Sequence, residues 1–495
     1  MGAKIKNNVA YRALSVCGRA LLAVPAAVLR WICAAVRSVS NAVKGFALGV
    51  YDVAKSFVLG NIVTKLSFFI MGLWGLVRGA IIRGALYLAA ELAYILYMIY
   101  FGAPYLSKFS TLGTATQNRY FDEKLGIYLY SAGDNSVEIL LFGTMSIIIS
   151  IVFAVIFFAN ANEAARSERI MKSGGRLPDF RADLRSLTGK NYHITLLTLP
   201  TLLLSLFTIL PLIFMVLMAF TNFDKSHQPP GNLFTWVGFE NFGNILGNND
   251  KISYTFIHLL GWTIVWAVFS TFTNYIFGMI LALMINKHSI RFKKVFRMIF
   301  IITIAVPQFV TLLLMSQMLH SQGAVNVLLQ ELGITSSPIG FLTDANLARI
   351  SVIVINMWIG IPYTMLITSG ILANIPDDMY EAAKIDGASP VTIFFKITLP
   401  YMLFVTTPYL ITQFVGNINN FNVIYLLTQG GPLALDYYQA GKTDLLVTWL
   451  YKQTVNEQNY NLAAVIGIAV FIITSVSSLI IYNRTASVKK EEQFS

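Results

Sequence analysis

Asn356, Gly360 and Tyr363 stand at i, i+4 and i+7, and Asn417 and Asn420 stand three apart, each set within a long apolar run. At those spacings each set shares one face of a helix. An amide in hydrocarbon is costly, so it must meet a partner or a wet cavity. A carboxamide carries donors and acceptors together, which a ligand rich in hydroxyls, such as a sugar, needs. Gly360 would leave room for a ring, and Tyr363 offers an apolar face with a polar tip. The same asparagines could instead tie helices together by hydrogen bonds. Chemistry alone leaves both readings open.

Other chemistry is sparse. His193, His227, His258, His288 and His320 fall at no ligand spacing, so no metal site is expected. Cys17 and Cys33 show no Cys-x-x-Cys or Cys/His spacing and read as reduced thiols. No nucleophile can be paired with a base, so no catalytic residue and no enzyme activity are expected. The chain has no phosphate-binding G-x-x-x-x-G-K-[ST] loop. Gly441-Lys442-Thr443 repeats only its last three residues, with Asp436 in the place of the first glycine.

One polar stretch, Pro376 to Pro400, separates two apolar runs. Asp377 and Asp378 follow a proline and suit the positive end of a helix. Gly387 supplies a left-handed cap, and Ser389-Pro390 reads as the N-cap and first position of a second helix. A helix, a tight turn and another helix are predicted. So compact an element between spans is expected to dock onto something.

The elements holding these groups must be membrane helices. Hydrophobic residues make up 56% of the chain and charged residues 12%, and mean hydropathy is +0.64. Eight spans are predicted, at about 84–104, 138–160, 194–220, 255–285, 296–320, 346–372, 402–426 and 461–483. The loops 161–193 and 286–297 are rich in Lys and Arg, whereas 321–345 has none, which puts the first two in the cytoplasm together with both termini. The stretch 373–401 then also lies inside. The net charge of +12 gathers beside the spans, so no nucleic-acid partner is expected.

Residues 1–83 carry eleven Lys or Arg against the single acid Asp52. Arg12, Arg19, Arg30, Arg37, Lys44 and Lys55 project within an arc of about 40° on a helical wheel. That stripe predicts basic amphipathic helices lying on anionic lipid at the cytoplasmic surface of the membrane. A loosely ordered leader and a signal peptide with Leu21–Leu29 as its apolar core are the other readings, and Arg30 and Arg37 oppose the latter. The expected divisions are the basic region 1–83, two further spans with their loops over 84–190, a six-span core over 191–485 and a cytoplasmic tail over 486–495. Glu91, within the first span, could be a proton site or could face the bundle as a structural group.

Glu381-Ala382-Ala383, three residues, Gly387, nine residues, then Ile397-Thr398-Leu399-Pro400 resembles the EAA loop of ABC-importer permeases. In that family the loop, here including Asp386, is the coupling helix that sits in a cleft of a separate ATPase. The similarity runs from about residue 190 to the C-terminus and looks like the larger, MalF-type permease subunit of maltose and maltodextrin importers. It is carried by P-L-I-F-M-V-L-M-A-F-T-N-F (211–223), N-M-W-I-G-I-P-Y (356–363), F-V-G-N-I-N-N-F (414–421) and L-L-T-Q-G-G-P (426–432). Upstream, T-L-G-T (111–114) and A-G-D-N-S (132–136) fit longer forms of the subunit. The large domain that the enteric form inserts after its third span is replaced here by the short loop 221–254.

The resemblance implies an all-α polytopic membrane protein of the type I ABC-importer permease fold. It also implies a MalG-type second permease, an ATPase homodimer that holds ATP and magnesium, and an extracytoplasmic sugar-binding protein, with no cofactor on this chain. Asn356, Ile359, Gly360, Tyr363, Asn417 and Asn420 match the family's midmembrane maltose site. Ile304 and Gln308 stand where the family has a tyrosine and a serine, and Gly416 replaces a phenylalanine. Lost aromatic bulk implies a wider or differently shaped site, open to maltose, malto-oligosaccharides or a related oligosaccharide. The competing class is an ion-coupled secondary sugar transporter with Glu91 as its coupling acid. It should carry inverted repeats, and no repeat is visible.

Overall fold

A computed structural model describes residue 37 and residues 53–484, apart from 176, 178, 179, 288 and 289. Most of the basic stripe and the tail 486–495 lie outside the described residues. Arg37 and Lys55, which are described, are helical and exposed. Among the described residues seven helices are long and apolar enough to cross a membrane. The pair Lys293–Ala305 and Gln308–Glu331, bent by 87°, brings the number to eight if it forms one span. The chain separates into two compact units.

After a helical stretch over 53–59 the first unit holds two short helices, α1 (Ile62–Leu66) and α2 (Leu73–Arg78), followed by α3 (Ile81–Phe109). Asn135 caps α4 (Ser136–Lys172) by accepting the Val137 and Glu138 N–H groups, and Glu138 lies in its first turn. α3 and α4 run antiparallel, with Tyr94 Oη to Ser150 Oγ at 3.1 Å and Tyr97 Oη to Ser146 Oγ at 2.9 Å. Residues 61–78, part of the region 1–83 expected on the membrane surface, are a packed element with Met71 and Trp74 fully buried. Asn160 accepts from the Gly72 N–H and Trp74 Nε1, while Glu168 accepts from the Asn61 N–H and Thr64 Oγ1 and pairs with Lys172 at 2.7 Å. Glu91 accepts the Met71 N–H at 2.8 Å, so its carboxylate has a structural partner.

The main departure from an all-helical fold is a hairpin, β1 (Arg119–Asp122) paired antiparallel with β2 (Ile127–Tyr130). Its aromatic residues suit a pleated pair, and Asp122 closes the turn by accepting the Lys124 and Leu125 N–H groups. The T-L-G-T and A-G-D-N-S segments meet beside it. Asp134 accepts from Lys108 Nζ at 2.6 Å and from the Thr114 and Ala115 N–H groups. Those donors hold its carboxyl at about 2, below the ordinary carboxylate range. The unit also holds α5 (Tyr192–Met218) as far as Leu217, and the segment Ser226–Trp236.

The second unit holds α6 (Asp250–Asn286), capped by Asn249, then α7 (Lys293–Ala305) and α8 (Gln308–Leu319). The run 296–320, expected as one span, breaks between these last two. Pro307 drives Val306 to an extended φ of −76° and ψ of 127°, which ends α7. Asp344 caps α9 (Ala345–Leu372). There follow α10 (Asp377–Ile385), α11 (Leu399–Ile418), α12 (Phe421–Thr428), α13 (Leu446–Tyr451) and α14 (Tyr460–Arg484). α6 packs most extensively against α9. The core brings Trp262 and Trp266 of α6 together with Leu312, Val352, Ile355, Val423 and Ile424.

Candidate functional site

The polar groups picked out above fall on helices that pack against one another: α9 touches α6, α7, α8, α11 and α12. Asn356 is buried, and its Nδ2 has no hydrogen-bond partner. Gly360 lies one turn further along α9. A Cβ built on Gly360 would fall 2.1 Å from Asn274 Nδ2, so the space it leaves is taken by an α6 side chain. Tyr363 is exposed at 48%, with its ring centroid 6.4 Å from that of Tyr409 on α11. Ile359 packs on the core beside Val423 and Ile424.

Asn417 and Asn420 have structural partners. Asn417 donates from Nδ2 to Thr271 Oγ1 at 2.9 Å, and its carbonyl accepts from Trp266 Nε1 at 3.0 Å, which ties α11 to α6. Asn420 accepts the Val423 N–H and caps α12. The two amides also meet each other, Asn420 Nδ2 to Asn417 Oδ1 at 3.4 Å. Ile304 and Gln308 flank the break at Val306-Pro307, where α7 ends and α8 begins. Gly416 is exposed, and a Cβ there would meet nothing within 4 Å.

The polar stretch folds as its caps predict. The Gly387 N–H donates to the Lys384 carbonyl and the Ala388 N–H to that of Ala383, with Gly387 at φ +76°. Ser389 Oγ accepts the Thr392 N–H and opens a turn, Pro390–Ile393, that continues through a wider turn, Phe394–Thr398, into α11. The second short helix is thus the first turn of the span itself. Tyr380 Oη lies 3.2 Å from Thr398 Oγ1 and ties α10 to that continuation. Leu399 packs on Tyr275 and Met279 of α6, whereas Glu381, Ala382, Asp386 and Pro400 are exposed. Ile385 is 86% exposed and Val391 65%.

Gly430, at φ +79°, sits against the Asp444 carboxylate; an added Cβ would lie 1.9 Å from Asp444 Oδ1. That carboxylate is fully buried and takes the Gly441 N–H, Thr448 Oγ1 and Lys452 Nζ, the last at 2.5 Å. Around it the Lys442 and Thr443 N–H groups go to the Pro432 and Gly430 carbonyls. The backbone donors of Gly441-Lys442-Thr443 are therefore committed within the loop and do not form a phosphate cradle.

Residues 274–487 match the family described as binding-protein-dependent transport system inner membrane component. The maltodextrin transport system permease protein MdxF of Bacillus subtilis is 34% identical over 433 residues, 86% of this chain and 95% of that protein. This chain belongs to the MalF-type family of binding-protein-dependent permeases.

Similarity extends to other transport permeases. The galactooligosaccharides transport system permease protein GanP of the same organism is 37% identical over 72% of this chain and 85% of its own length. The Escherichia coli maltose/maltodextrin permease MalF is 36% identical over 272 residues, 54% of this chain and 52% of that one. A bacterial ABC transporter that imports the acidic polysaccharide alginate includes a chain similar in fold, with a TM-score of 0.51 at 22% identity, covering 61% of the permease and 97% of that chain. Asn274, Thr271 and Tyr409 stand beside the expected site residues and were not among them. Asn274 alone carried a signal, as an amide within an apolar run.

Proposed function

We propose that this permease and a second, MalG-type permease subunit form the path by which an ATP-driven importer takes up an oligosaccharide. Maltose, malto-oligosaccharides or a related oligosaccharide would arrive on an extracytoplasmic binding protein. An ATPase homodimer holding ATP and magnesium would dock at Glu381–Gly387, and this chain would carry no bond chemistry. Both termini would be cytoplasmic, on the same side as the basic loops.

The observation that carries the reading is mechanical continuity. The exposed helix α10 is tied through Tyr380 and Thr398 to the start of α11, and the far end of α11 holds Asn417 and Gly416. A push on α10 therefore moves one wall of the candidate path as a unit, and the two packings it connects are biased by ATP. The hydrogen bond from Met71 to Glu91 takes support from the ion-coupled alternative, because the acid that reading needs is occupied. The test is ATPase activity of the assembled complex in lipid, titrated with the binding protein and a panel of oligosaccharides. Stimulation by a subset of sugars is expected. Uptake that survives ATP depletion and collapses with the proton gradient would overturn the proposal.

A further inference from the structure

Tyr409 and Gly416 stand seven residues apart on α11, which puts them on one helical face, about 10 Å apart at 1.5 Å per residue. Asn356 and Tyr363 have the same spacing on α9. The end of α9 and the start of α11 meet, since Leu372 and Leu399 both pack on Tyr275 and Met279. The two helices are therefore antiparallel, with Tyr409 level with Tyr363 and Gly416 at about the depth of Asn356. The Tyr409 hydroxyl is held in place. Thr364 Oγ1 donates to the Gly360 carbonyl at 3.0 Å, so Tyr409 Oη, 3.2 Å from Thr364 Oγ1, is the donor of that second bond. The rings of Tyr409 and Tyr363 lie 6.4 Å apart between centroids and are tilted by 44°, so they meet without covering each other's faces.

We infer that Tyr409 is a sugar-contacting residue of the path, its ring joining that of Tyr363 in an aromatic corner for one pyranose. The inference rests on the oligosaccharide reading proposed above and adds a residue to it. Ile304 and Gly416 leave two walls without rings, and Tyr409 supplies one on the face of α11 that carries Gly416. A pyranose bears C–H groups on its faces and hydroxyls at its rim, and the negatively polarised face of an aromatic ring attracts the former. Beyond that corner, a Cβ on Gly416 would meet nothing within 4 Å, and Asn356 Nδ2 has no partner. That opening takes the next sugar unit, and the idle amide donor suits one of its hydroxyls. Because the bond to Thr364 fixes the Tyr409 ring before sugar arrives, little ordering remains to be done on binding.

The test is uptake by the assembled importer in proteoliposomes, supplied with its binding protein and, in turn, maltose, maltotriose, lactose and cellobiose, with ATP hydrolysis followed in the same samples. Tyr409→Leu removes the ring and should lower the sugar taken up per ATP hydrolysed about fivefold. Tyr409→Phe keeps the ring and loses the bond to Thr364, so it should melt at a lower temperature and retain the wild-type ratio. Should the leucine variant fail to assemble, Tyr409→Trp offers a broader ring and should change the relative uptake of the two sugars that wild type transports best by about threefold. Uptake and hydrolysis that stay unchanged or fall in equal proportion in Tyr409→Leu would overturn the inference and leave the sugar path in place. So would an equal loss in Tyr409→Phe, which would make the residue a helix tie, or an unchanged preference in Tyr409→Trp. ATP-driven uptake of none of the four sugars by wild type would overturn the underlying reading and this inference with it.

Discussion

The side-chain amide of Asn274 on α6 fills the place where Gly360 on α9 lacks a Cβ; a methyl group there would lie 2.1 Å from Asn274 Nδ2. Asn274 Oδ1 has no hydrogen-bond partner, and one turn away on α9 Asn356 Nδ2 has none either. Native interiors leave few such atoms unsatisfied, and each one calls for an explanation. A close helix approach and two unspent amide atoms, one acceptor and one donor, thus occur within a turn of each other.

Gly360→Ala is therefore expected to force the Asn274 amide aside, with a loss of about 1–3 kcal/mol from overpacking. Asn274→Ala should restore the fit, giving a favourable coupling in a double-mutant cycle on thermal unfolding in detergent. A Gly360→Ala protein that melts like wild type would show that the helices are not in this contact.

The knot at Asp134 predicts a pH dependence. Its carboxyl is held at about 2, below the ordinary 3.8, by Lys108 and the Thr114 and Ala115 N–H groups. A depressed carboxylate stabilises the fold above its unfolded pKa, and that contribution is lost as pH falls from about 4 towards 2. Limited proteolysis of the 110–135 segment should accelerate across that window. Asp134→Asn should be cleaved faster at neutral pH and show a flatter profile; matching profiles would refute the linkage.

At the coupling loop, Glu381→Lys reverses charge on an exposed helix face, and Gly387→Pro cannot adopt φ +76°. Both variants are expected to insert normally, bind the ATPase subunits more weakly and lose sugar uptake. Unchanged uptake in either would mean that α10 transmits nothing.

The spans were legible because apolar runs and loop charge are local properties, and so were the caps at Asp377, Gly387 and Ser389. What escaped depended on distant partners. The burial of residues 61–78 rests on Glu168, 104 residues from Thr64. The hairpin has four residues per strand, too short for its pattern to stand out among helices. Pro307 was visible, but a proline can kink a span as well as end one, and its presence alone did not say that α7 stops there. At the candidate site, spacing put Asn356 and Asn417 on helix faces without saying what each face meets. The partner of Asn417 is Thr271, 146 residues away.

That difference between the two asparagines gives the sharpest test of the path. Asn417 is bonded to Thr271, so Asn417→Leu breaks an interhelical hydrogen bond and should lower stability by about 0.5–2 kcal/mol. Asn356 has an idle donor, and Asn356→Leu removes a buried amide whose Nδ2 has no partner. That variant should melt at or above the wild-type temperature yet lose stimulation of ATPase activity by sugar. Thermal unfolding and sugar-stimulated ATPase activity of both variants in the assembled complex check the pair. If Asn356→Leu is destabilised and still stimulated by sugar, its amide is helix glue and the path runs elsewhere.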